Sequence, residues 1–242
     1  MLAPAREPGQ VPAAEALERL AKASGAFRVV VSTEPRESLT AQGLGRFKAV
    51  LLCPAVGHSL GEDGRKALAA WLEKGGGLVE VCDPSPELSG ARTGSHAFSG
   101  KVGITLHDPR HPATVPVRPY WKVDDGLRVL DGFDAKSARV LLSLDVSSVP
   151  APSRKPVHVP AAWVRARGAG RLFFTALGRQ DATWKDPLFL EHILGGIQWV
   201  LGQKQGEAAP NPDVSAEMQK LAERAASASG PAPRGEPGKE SR

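Results

Sequence analysis

The sequence predicts an α/β protein built on an open, mostly parallel sheet with helices on both sides, and three observations carry that expectation. Short apolar runs alternate with helix-forming stretches through the first third of the chain. Those runs lack polar alternation, as strands buried on two faces require. A closing stretch, residues 187–202, carries Phe189, Ile193, Ile197 and Leu201 four apart on one side of a helix.

Each element has its own local reason. Residues 12–24 are rich in helix formers, with Leu17, Leu20 and Ala21 on one face and Gly25 as a left-handed stop. FRVVVS (27–32) and LGRFKAVLLC (44–53) read as buried strands. Ser59 and Glu62 have capping-box spacing ahead of GRKALAAWLEKG, where Leu68, Trp71 and Leu72 form a stripe that Gly75 ends. GLVEVC (77–82) is the next strand, and strand, helix, strand at this spacing is a right-handed parallel unit. From Asp83 to Pro119, Pro and Gly are frequent and apolar runs short, which predicts a rim of loops. ARVLLSLD (138–145), HVPAAWVRA (158–166) and RLFFTA (171–176) restore order, the last two joined as an antiparallel hairpin through the glycines of ARGAGR. Asp186 caps the closing helix and Pro187 opens it, while Gly195 and Gly196 allow close approach to the sheet. One domain is expected over 11–202. Beyond it, 203–242 is poor in large apolar residues and reads as a disordered tail with a short helix at about 213–226.

Composition narrows the function. The chain has 242 residues, 41% of them hydrophobic, which suffices for a sizeable core. A net charge of +5 would suit an anionic partner, but the basic residues are dispersed and not interleaved with aromatics, so nucleic acid is not expected. No apolar run of about 18 residues could cross a membrane, and the amino terminus lacks the apolar core of a signal peptide. A cytoplasmic location follows as the expectation. The two cysteines, Cys53 and Cys82, end apolar runs as small buried hydrophobes do. His107 and His111 have helical metal-ligand spacing, but Pro109 and Pro112 preclude that helix, and neither a metal nor a cofactor is expected.

RVLLSLDVSS, VPAAWVR and GAGRLFFTALGRQDATWKDPLFLEHILGGIQWVLG, in that order and spacing, resemble the carboxy-terminal half of the trehalose-utilisation (ThuA-like) family. HDPRHPATVPVRPYWKVDD is similar to its middle segment, and LTAQGLGRFKAVLL and EDGRKALAAWLEKGGGLVEV fit more loosely. The resemblance spans about residues 11–202. It implies a class I glutamine amidotransferase-like fold, a flavodoxin-like three-layer sandwich, and a role in the metabolism of disaccharides or their keto forms. It also implies a first strand ahead of the helix at 12–24, so that the true start lies upstream and export stays open.

By the same resemblance, His96 stands at the histidine of a GHP motif, His111 and Pro112 at an HPAT segment, Asp124 and Asp125 at an acidic pair, and Trp163 and Trp184 at the family's tryptophans. A histidine with a carboxylate would make a base and its orienting partner. Two family histidines are replaced: one by Cys82 at the end of GLVEVC, the other by Arg179, where TALGR stands for TALGH. An arginine cannot act as a base but can hold a carboxylate, phosphate or sugar oxygen by paired hydrogen bonds. Arg179, Trp163 and Trp184 are therefore the candidate substrate-binding residues, although for the tryptophans core or rim packing is the favoured reading. Cys82 sits where amidotransferases keep their nucleophile, yet Glu80, Asp83 and Pro84 crowd it, and a buried structural thiol is the expectation. Two function classes remain. One is an enzyme of carbohydrate metabolism with an altered or reduced site. The other is a non-catalytic domain of the same fold that binds a sugar or a protein, with homo-oligomer formation open to both.

Overall fold

The computed structural model describes residues 10–32, 35–53, 60–149 and 158–228. Seven strands form one sheet in the order β1-β2-β7-β6-β5-β3-β4. They are β1 (Ala49–Leu52), β2 (Gly77–Val81), β3 (Arg92–Leu106), β4 (Tyr120–Asp131), β5 (Arg139–Leu144), β6 (Pro160–Arg167) and β7 (Gly170–Thr175). Four helices of more than one turn accompany them: α1 (Gln10–Ser24), α2 (Gly61–Glu73), α3 (Pro187–Val200) and α4 (Pro212–Ala228).

The sheet is mixed, which corrects the expectation of a mostly parallel one. Only β1–β2 and β2–β7 are parallel, whereas β7–β6, β6–β5, β5–β3 and β3–β4 are antiparallel. The reason is covalent: Gly168, at φ +55°, turns β6 straight into β7, and a direct hairpin cannot join parallel strands. Of the stretch 83–119 read as a rim of loops, Arg92–Leu106 is instead β3, which pairs with β4 in a long ribbon, while 107–119 is a loop. Gly103 serves cross-strand packing rather than a turn, since a Cβ there would strike the Tyr120 ring. Of the expected strand 27–32, Ser32 makes a β-bridge, while 27–31 belong to no strand among the described residues.

Side-chain alternation separates two faces. Phe173 on β7 meets α3, where Gly196 lets the helix close against its ring, while Phe174 stacks on Trp163 at 3.9 Å on the opposite face. That second face carries α2 and the single turn Pro86–Ser89, because Gly170 adjoins the Leu72 carbonyl and Trp163 Nε1 donates to Ser89 C=O at 3.0 Å. Gly195 admits the 107–119 loop against the outer side of α3. Asp186 caps α3 by accepting from Leu188 N–H at 2.9 Å, as its sequence predicts. The Ser59 cap expected for α2 lies outside the described residues.

Residues past 202 are tied to the sheet. Asn211 accepts from Val140 N–H at 2.7 Å and donates to Val140 C=O at 3.0 Å, so it completes β5 like a short extra strand. Beyond it, α4 packs over β5, and Gln219 accepts from His158 N–H at 2.8 Å. The rest of the predicted tail, 229–242, lies outside the described residues.

Candidate functional site

The parallel strands β2 and β7 end side by side, and the chain leaving each makes a sharp turn there. Cys82 follows β2 with φ +69°, in the left-handed region, the sole such residue other than glycine among the described residues. Its N–H donates to Thr175 C=O at 2.8 Å, which fixes the turn to the end of β7. The Cys82 side chain points inward, 2% exposed, with its thiol donating to Leu177 C=O at 3.6 Å. Burial pushes the thiol pKa well above its ordinary value, and the nearby Arg179 charge offsets this only in part.

Asp125 organises the turn leaving β7. Its carboxylate, wholly buried, accepts N–H bonds from Gly178 at 2.6 Å, Arg179 at 3.1 Å, Gln180 at 2.9 Å and its own neighbour Gly126 at 2.8 Å. The ribbon of β3 and β4 thereby folds over the carboxyl edge of the sheet. With its lone pairs engaged by backbone donors, Asp125 is a structural anchor and not a free base. Asp124, its neighbour, is exposed on β4, pairs across the ribbon with Lys101, and its carbonyl accepts from Thr183 Oγ1 at 3.4 Å.

Arg179 lies over this turn with its stem against Gly126, where a Cβ would come within 3.1 Å of its Cδ. Its Nη2 donates to Asp83 Oδ1 at 2.9 Å, and Thr93 Oγ1 donates to the same oxygen at 3.2 Å. Asp83 is thus shared between the turn after β2, the turn after β7 and the ribbon. Beside it opens a cleft of about 310 Å³, lined by Arg65 from α2, Asp83, Ser85 and Glu87 from the turn after β2, and Arg92 and Thr93 from β3. Arginines on two sides of an acidic floor can orient a polar ligand that carries a negative group.

The other sequence candidates are placed elsewhere. Trp184 is fully buried beneath the turn, with Nε1 donating to Gly178 C=O at 2.8 Å and its ring edge-on to Phe189. Trp163 is fully buried between Phe174 and Phe133. Neither offers a face to a sugar. His111 belongs to the 107–119 loop and packs on Trp199, next to the Asp108–Arg139 ion pair at the start of β5. Its ring contact is with the last turn of α3, not with the turn that holds Arg179. Burial lowers the His111 pKa to about 4, so it is neutral at pH 7. His96 lies within β3, and its side chain is outside the described residues. No group of three or more potential metal ligands occurs among the described residues.

Sequence reasoning missed two groups. His192, inside the apolar stripe of α3, links Ala113 C=O at 2.7 Å to Thr175 Oγ1 at 3.2 Å and is wholly buried. Only its interruption of the stripe could have flagged it. Glu80 is buried in the middle of β2 with one oxygen unpartnered, and desolvation raises its pKa to about 7. A carboxylate within an apolar strand run was the available signal.

The profile of the family described as "ThuA: Trehalose utilisation" matches residues 5–200. The chain belongs to the ThuA family. It is therefore a trehalose-utilisation-related domain. Solved structures agree with this ThuA fold. A ThuA-like protein from Bacteroides uniformis superposes with TM-score 0.67 at 17% identity, covering 88% of this chain and 93% of the other. One from Parabacteroides merdae gives TM-score 0.63 at 14% identity, covering 88% and 96%. A cytoplasmic protein of Salmonella typhimurium gives 0.59 at 11% identity, covering 78% and 87%. None of the curated proteins matches the chain. Among the described residues no helix is long and apolar enough to cross a membrane.

Proposed function

We propose that this ThuA domain acts in carbohydrate metabolism by holding an acidic sugar or sugar derivative at the carboxyl edge of β2 and β7, with acid–base catalysis reduced. The layering supports a class I glutamine amidotransferase-like ancestry, because a cysteine at positive φ ends the strand where such a fold keeps its nucleophile. The observation that carries the reading is the state of the groups around that cysteine. Asp125 is engaged by four backbone amides, Arg179 is ion-paired with Asp83, and the Cys82 thiol is buried. A base must reach the proton it takes, and the amide-bound carboxylate, the ion-paired guanidinium and the buried thiol are each already engaged or inaccessible. The cleft beside them has the volume of a small-ligand site, at the low end of the usual ~300–1,000 Å³.

The test is to incubate the purified protein with neutral disaccharides, their keto forms and sugar acids, following heat of binding and product together. Binding of a sugar acid with little or no turnover supports the proposal. Rapid turnover of a neutral disaccharide would show an intact catalytic site and refute it. Of the second class, a non-catalytic domain of the same fold that binds a sugar or a protein, the cleft supports the sugar-binding form.

A further inference from the structure

A second hollow, of about 250 Å³, shares Pro86, Glu87 and Arg92 with the cleft beside Asp83, so the two meet along the turn after β2. Its other walls carry Asp131 from the end of β4, Asp134 just beyond it and Arg165 from β6. Gly90, at φ +82°, makes room for the Arg165 guanidinium, which a Cβ there would strike. Arg165 is already committed: Nη1 donates to Leu88 C=O at 3.2 Å, and Nη2 stands 3.9 Å from Asp134 Oδ2. Asp134 is committed as well, accepting from Ser137 Oγ and from Lys136 N–H at 3.1 Å. Those two charges offset each other within the wall.

The charges that remain are uneven. Glu87, Asp131 and Arg92 are exposed, and among the described residues their side chains make no hydrogen bond or ion pair. Arg92 and Asp131 stand directly opposite in the register of the ribbon, where antiparallel Cα atoms lie about 4.5–5.5 Å apart, yet they are not paired with each other. The hollow is therefore left with two free carboxylates against one guanidinium. In the cleft the balance is reversed, because once Asp83 is taken by Arg179, Arg65 and Arg92 stand against Glu87.

We propose that the cleft and the hollow together hold an amphoteric sugar derivative, its acidic group among the arginines of the cleft and its ammonium group against Asp131 and Glu87. The proposal rests on the acidic-sugar reading above and narrows it to amino sugars that carry a phosphate or a carboxylate. An ammonium group donates up to three charge-assisted hydrogen bonds to these carboxylates, whereas a hydroxyl in its place donates one uncharged bond. A second anionic group would instead meet two like charges.

The experiment titrates three ligands of one skeleton by calorimetry: glucosamine 6-phosphate, glucose 6-phosphate and N-acetylglucosamine 6-phosphate, each into the parent and into Asp131→Asn, with glucuronate alongside. The parent is expected to bind glucosamine 6-phosphate about ten-fold or more tightly than glucose 6-phosphate, and the acetylated sugar, which lacks the positive charge, no better than glucose 6-phosphate. In Asp131→Asn, which keeps the shape of the side chain and removes its charge, the preference for the amino sugar should shrink to about two-fold or less. Equal affinity of the parent for the amino and hydroxyl sugars would overturn the proposal and leave the acidic-sugar reading standing. A preference that Asp131→Asn retains in full would do the same. Absence of binding by all three sugar phosphates would overturn it too, and the glucuronate titration then tells whether the acidic-sugar reading falls with it.

Discussion

At the scale of single residues, the site is defined by how its charges are already committed. Cys82 combines a left-handed backbone with an inward thiol of raised pKa. Reactivity needs the thiolate and access, and it has neither. Alkylation by iodoacetamide at pH 7.5 should therefore be slow in the native protein and rapid after unfolding, as mass spectrometry of the labelled peptide would show. Glu80 yields a second prediction. Its folded pKa, raised to about 7 from an ordinary 4.5, means that its contribution is fully present below pH 4.5 and is lost as pH rises through 7. Glu80→Gln removes that loss, so denaturant titration should find the variant more stable than the parent at pH 8, by about 1–3 kcal/mol, and much less so at pH 5. Equal differences at the two pH values would show that Glu80 is not neutralised by folding.

At the scale of elements, the carboxyl half shows why some of the fold was legible in the sequence. β6, β7 and α3 each announce themselves locally, through an apolar run, a glycine hairpin and an Asp-Pro start, and the structure keeps all three. Residues 27–32 have an equally strong β-branched signal, but a strand exists only with a partner, and among the described residues the stretch makes a bridge at Ser32 and no ladder. β3 erred in the other direction, because its polar alternation and glycines suit a ribbon with one open face, which resembles loop composition. Among the site candidates, the place of Arg179 in the turn between β7 and α3 was legible. Trp163, Trp184 and His111 were not, since burial and the element on which a loop packs are tertiary outcomes. Asn211 belongs to this scale too. Its side chain completes the Val140 backbone, so Asn211→Ala should lower stability by about 1–3 kcal/mol and hasten proteolysis within residues 203–228, which a protease time course with peptide mapping would detect.

At the scale of the whole molecule, burial of histidines sets the acid limit. His111, His158 and His192 have folded pKa values lowered to about 4, with desolvation the leading cause in each. Their unfolded values lie near 6.5, so the unfolded chain binds protons first. The stability they confer is complete above that value and falls as pH drops from about 6.5 to about 4, at up to about 1.4 kcal/mol per pH unit for each. Glu80 runs the other way between pH 4.5 and 7, but it is one group against three. Tm should therefore decline steeply from pH 6.5 to pH 4.5, and a flat profile across that range would contradict the assignment of neutral buried imidazoles.

The central claim is that Arg179 offers a fixed positive charge to an acidic ligand while Asp83 holds part of that charge in reserve. Calorimetric titration of glucuronate, glucose 6-phosphate and trehalose into the parent, Arg179→Ala and Asp83→Asn proteins tests it most directly. A charge-assisted pair contributes about 1.5–3 kcal/mol, roughly ten-fold to a hundred-fold in affinity. The account predicts that the parent binds an acidic sugar in preference to trehalose, that Arg179→Ala loses about ten-fold or more of that affinity, and that Asp83→Asn, with the guanidinium released, binds more tightly than the parent. If all three proteins bound every ligand alike, Arg179 would be a strut between two turns and the account of the site would be wrong.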